Sequence, residues 1–135
     1  MFGENDSNSV NTKISASMRS NISEFGFHTP QHLWSPPTDV YETGKEIVVR
    51  VEIAGVNIGD FDIDFVDGVL SIRGNRADLS ERKAFHQMEI RYGAFQASLK
   101  ITIPVNADEI SAEYRDGFLM IKLPKASTKR IRISS

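Results

Sequence analysis

The 135-residue sequence predicts an all-β fold, an antiparallel sandwich with a polar arm before it and a short basic tail after it. Three observations carry that prediction. Apolar residues alternate with polar ones at the period of a strand from Trp34 almost to the C-terminus. Two Asp-Gly pairs, Asp67-Gly68 and Asp116-Gly117, stand between alternating runs, which is a strong short-range hairpin signal. Prolines mark both limits: Pro36-Pro37 stops a helix from running in, and Pro124 closes the last alternating run.

Residues 1–33 are rich in Ser and Asn and read as a mostly disordered arm. Within the arm Val10, Ile14, Met18, Ile22 and Phe25 recur at helical spacing in a stripe about 120° wide, so a short amphipathic helix on a surface is the alternative. Residues 34–124 are expected to form the sandwich. Ile47, Val49, Val51 and Ile53 alternate with Val48, Arg50 and Glu52. Phe61, Ile63 and Phe65 alternate with Asp62 and Asp64, and Leu70 and Ile72 follow the first Asp-Gly. The two aspartates share a face opposite the apolar one and read as a solvated surface, not as paired catalytic carboxylates. Phe95, Ala97, Leu99, Ile101 and Ile103 make a further long strand, and Ile110, Ala112 and Tyr114 lead through the second Asp-Gly to Leu119, Ile121 and Leu123. Residues 75–83 are charged and read as a projecting loop. Met88, Ile90 and Tyr92 then alternate as a short strand with no hairpin partner nearby.

About ninety residues of sandwich leave sheet edges open, which invites dimerisation. A strand carried outward on a long loop is suited to pairing with a neighbouring subunit's edge; the simpler reading is an excursion that folds back on its own sheet.

Composition narrows the function. With 40% hydrophobic and 25% charged residues the chain reads as an ordinary soluble globular protein, and no apolar run is long enough for stable membrane insertion. The polar N-terminus does not read as a secretory signal. Zero cysteines exclude disulfides and thiolate chemistry and fit a reducing compartment, so a cytoplasmic location is expected. The net charge is −2, but Lys125, Lys129, Arg130 and Arg132 put +4 on the last twelve residues, leaving −6 on the remainder. Such a body repels nucleic acid, and the tail cations read as solubilising charge. His28 and His32 are four apart with Pro30 between them and no third ligand pattern, so neither a metal nor a cofactor is expected. The chain contains no nucleophile elbow, Walker loop or dinucleotide fingerprint, and an enzyme is not expected.

Four segments in order resemble the small heat-shock proteins with an α-crystallin domain. Residues 34–42, WSPPTDVYE, are similar to the family's lead-in, and residues 89–95, EIRYGAF, to its swapped strand running into the next one. Ala112, Gly117 and Leu119 match its signature, and Ile131-Arg132-Ile133 matches its I-x-I tail motif. Two departures stand out: Ala97 lies where many members carry Arg, and Thr102 where they carry Pro.

The resemblance implies an immunoglobulin-like antiparallel β-sandwich over residues 34–124, flanked by the arm at 1–33 and a tail at 125–135. It implies an ATP-independent holdase, a chaperone that binds unfolding client proteins and works as a homo-oligomer of dimers. Phe85, His86, Met88, Ile90 and Tyr92 would form the swapped dimer strand. Ile131 and Ile133, two apart and so on one side of an extended tail, would anchor the oligomer in a groove including Phe61, Ile63, Phe65 and Ile110. Val10, Ile14, Met18, Ile22, Phe25 and Phe27 would contact clients. The alternative from another class is a monomeric co-chaperone or adaptor module with a similar sandwich.

Overall fold

The computed structural model describes residues 9–10, 33–80, 84–127 and 132–134. Eight strands are present among them: β1 (Ser9–Val10), β2 (Thr38–Glu42), β3 (Glu46–Glu52), β4 (Phe61–Val66), β5 (Val69–Arg76), β6 (Gly93–Lys100), β7 (Ser111–Arg115) and β8 (Phe118–Pro124). They form a five-stranded sheet in the order β1-β7-β8-β3-β2 and a three-stranded sheet in the order β4-β5-β6. Every strand pairing is antiparallel, so the fold is the expected all-β sandwich.

The alternation seen in sequence sets the register. β3 pairs with β8 along its whole length, placing Ile47, Val49 and Val51 opposite Leu123, Ile121 and Leu119. These cross-strand pairs turn one continuous apolar face toward the other sheet, where Leu70, Ile72 and Phe95 are fully buried. Each such side chain contributes roughly 1.5–3 kcal/mol by leaving water. Both Asp-Gly pairs are two-residue hairpin turns with positive φ at both positions, 51° and 79° in the first, 52° and 82° in the second. That is the mirror-image turn whose twist matches the flanking strands, and Asp followed by Gly reaches it at low cost. The turns are tied to adjacent chain: the Ile101 N–H donates to the Gly68 carbonyl at 2.7 Å, and the Ile53 N–H to the Gly117 carbonyl at 2.8 Å.

Several expectations need correction. β6 ends at Lys100, so Ile101 and Ile103 lie beyond it. Ile101 instead bonds back to the turn, and Pro104 has no N–H to continue a ladder. Met88, Ile90 and Tyr92 are not in a strand within the single chain. The β6 edge is met at Phe95 by a parallel bridge from Trp34, and none of the strand pairings reaches residues 84–92. Val10 lies in β1, which is incompatible with its being the first member of a helical stripe. Asp64 is not solvated: it is 5% exposed, with the Arg73 guanidinium 3.4 Å from its carboxylate. Finally, residues 38–42 form a full strand, β2, although Val40 and Tyr41 are adjacent there and give no alternation.

Candidate interaction surfaces

The first surface is the chain between β5 and β6 together with the β2 edge. Phe85, His86, Met88, Ile90 and Tyr92 are all exposed, Met88 at 59% and Ile90 at 61%. A hollow of about 340 Å³ is framed by Phe85, Met88, Ile90 and Tyr92. β2 ends the five-stranded sheet, and among the described residues no strand pairs with its outer side. Val40 and Tyr41 are exposed on it, beside a hollow of about 220 Å³ that Ile47, Ile101 and Ile103 also line. The Arg50 guanidinium lies 5.5 Å from the Tyr41 ring centre and 2.8 Å from the Asp39 carboxylate. The hydrogen bond to Asp39 raises the Arg50 pKa above its ordinary value, with Coulombic attraction adding to it.

The second surface lies at the opposite edge of the sandwich, where β4 ends one sheet and β7 stands near the end of the other. Phe61, Phe65 and Ile110 are half-buried and pack against the core, while Ile63, between the two phenylalanines, is a core residue. Tyr114 packs edge-on to Phe61 with ring centres 5.0 Å apart. Its hydroxyl donates to the Ile53 carbonyl at 2.7 Å and accepts from the Val56 N–H at 3.4 Å. The outer side of β7 pairs with β1, Ser9 opposite Glu113 and Val10 opposite Ala112. Of the signature residues, Ala112 and Leu119 are buried and Gly117 is in the second hairpin turn.

The third surface is the tail. Its root is fastened: the Lys125 N–H donates to the Lys45 carbonyl at 2.9 Å, and the Ala126 N–H to the Pro104 carbonyl at 3.0 Å. The Lys125 ammonium also lies 2.5 Å from the Glu42 carboxylate. Beyond the root Ile133 is 92% exposed and is not brought to the groove residues. Its partner Ile131 lies outside the described residues, as do Ile14, Met18, Ile22, Phe25, Phe27, His28 and His32. Among the described residues no cluster of three His, Asp or Glu is placed to hold a metal ion, and no helix is long and apolar enough to cross a membrane.

Sequence reasoning missed two parts of these surfaces. Val40 and Tyr41 gave no periodic signal. Trp34, Arg76 and Tyr92 come together although tens of residues separate them, and no local pattern announces such a meeting.

These surfaces are made of apolar side chains and backbone edges, the chemistry of a protein that binds other polypeptides. The profile of the Hsp20/alpha crystallin family matches residues 39–134. The chain belongs to that family. It is 35% identical over 99 residues to small heat shock protein C2 of Rickettsia felis, covering 72% of this chain and 64% of that protein's length. Heat shock protein HSP.16.4 of Streptococcus thermophilus is 35% identical over 100 residues, 72% of this chain and 70% of that one. Among solved structures, a small heat-shock protein of Xylella fastidiosa with a distinct high order structure superposes with a TM-score of 0.67 at 31% identity, covering 77% of this chain and 98% of that one. Membership of this family supports a chaperone role.

Proposed function

We propose that this protein is an ATP-independent holdase of the cytoplasm, working as an oligomer built from dimers. The observation that carries the reading is the pairing of two complementary defects in one chain. Among the described residues Met88 and Ile90 stand exposed on a segment that no strand pairs with, and β2 offers an edge that none pairs with. An exposed sheet edge is a template for a strand from another chain, and two copies related by a twofold axis satisfy both defects at once. In the dimer, residues 85–92 of each copy add to β2 of the other.

The tail then links dimers. Ile131 and Ile133 seat in a neighbour's groove beside Phe61, Phe65 and Ile110, and the exposure of Ile133 in the single chain fits an anchor directed outward. Apolar residues of the arm, with grooves vacated by tails, hold clients by mass action on their unfolded state, which requires no nucleotide. The absence of cysteine suits a reducing compartment.

Light scattering coupled to size exclusion tests the assembly. The wild type is expected as a large oligomer and the Ile131→Ala, Ile133→Ala double variant as dimers. A wild type that runs as a monomer sinks the reading. The purified protein should suppress aggregation of a heat-denatured client equally with and without ATP, and a dependence on ATP would contradict the holdase mechanism.

A further inference from the structure

Arg76 is the last residue of β5, where the chain leaves the three-stranded sheet; Gly93, opposite it in the β5–β6 register, is where the chain returns. The Arg76 side chain is engaged on several sides. Its Nε and Nη2 donate to the Arg91 carbonyl at 2.9 and 2.7 Å, and its Nη1 donates to the Ala54 carbonyl at 3.1 Å. Its guanidinium carbon lies 4.6 Å from the Trp34 ring centre and 5.6 Å from that of Tyr92. Trp34 is itself fastened to the returning strand: its Nε1 donates to the Gly93 carbonyl at 3.3 Å, its backbone N–H to the Ala94 carbonyl at 3.2 Å, and its carbonyl accepts from the Gln96 N–H at 2.9 Å.

One side chain thus joins the lead-in at Trp34, the turn after β3 at Ala54, and both the exit and the return of the projecting segment. It borders an open cleft of about 990 Å³ whose walls include Pro37, Glu52, Leu79 and Ile90. Only a guanidinium meets all these demands, because its planar fork supplies several fixed donors while its faces rest on aromatic rings. A lysine at the same place keeps the charge but not the fork.

We propose that Arg76 is the positioning residue of the projecting segment, fixing the direction in which residues 77–80 leave and residues 84–92 rejoin the sandwich and thereby slowing subunit exchange. The inference rests on the dimer reading above. A segment held in its binding direction loses less conformational freedom on docking, and differences of this kind show mainly in the dissociation rate.

The test uses full-length wild type, Arg76→Met and Arg76→Lys. Exchange is followed by mixing isotopically light and heavy populations in native mass spectrometry. Trp34, the sole tryptophan, reports the clamp through its emission. The expected result is exchange about ten- to a hundredfold faster in Arg76→Met, an intermediate rate in Arg76→Lys, and altered Trp34 emission in both. Altered emission with an unchanged exchange rate overturns the positioning role, and unchanged emission overturns the clamp itself. A monomeric wild type overturns the dimer reading and the exchange consequence with it. The clamp is then still decided by hydrogen exchange across residues 84–92: faster exchange in Arg76→Met upholds it, equal exchange removes it.

Discussion

Gly117 sits at φ 82°, and a Cβ built on it would stand 3.0 Å from the Cβ of Ala54. The positive φ strains any side chain there and Ala54 would have to give way slightly, so Gly117→Ala is expected to cost about 1–2 kcal/mol, read as a lowered melting midpoint with the fold retained. Tyr114 gives a second residue-scale prediction. Its hydroxyl is the only part that Tyr114→Phe removes, and the bond it donates to Ile53 ties β7 to the chain after β3. The loss is expected to be about 1 kcal/mol by denaturant unfolding, leaving the edge-on contact with Phe61 in place. The glycine was legible in sequence because Asp-Gly between alternating runs has one economical geometry. The tyrosine bond was not, because its partner lies far away in sequence and only the closed sandwich brings them together.

At the scale of elements, the strands that alternate were legible and those that do not were lost. β3, β4, β5, β7 and β8 each turn one apolar face to the core, which writes a period of two into the sequence even though Val48, Asp64 and Ser71 on the other face are buried too. β2 is an exposed edge strand with little to bury, so Thr38–Glu42 carries no such mark. The segment around Met88 and Ile90 fails for the opposite reason: it alternates, but among the described residues no strand edge receives it. In the dimer proposed above, the edge of a second copy is what this alternation would meet. A Met88→Asp, Ile90→Asp variant should leave the melting of the sandwich nearly unchanged, because both side chains are exposed, and should weaken self-association by at least about tenfold in sedimentation. A large loss of thermal stability without a change in association would instead make these residues part of the intrachain packing.

For the molecule as a whole, the sandwich is organised by its edges. β6 is met by Trp34 and β7 by β1, while among the described residues no strand pairs with the outer side of β2 or of β4. The charge is divided as well, with a negative body and a positive tail, so a tail approaching a neighbouring copy is drawn in before any apolar contact forms. The pairing of Ser9–Val10 with Ala112–Glu113 has a consequence for such an approach. The outer side of a strand is a single-occupancy berth, since its amides and carbonyls take one row of partners at a time. A docking tail that adds to β7 as a strand must therefore evict the protein's own arm from Ala112–Glu113, and a returning arm must evict the tail. Because the chain has no cysteine, a label on Val10→Cys reports that eviction alone. Adding a peptide of residues 125–135 should raise the label's mobility and saturate. Were the label indifferent to peptide that demonstrably binds, arm and tail would hold separate berths, and the release of one would say nothing about the other.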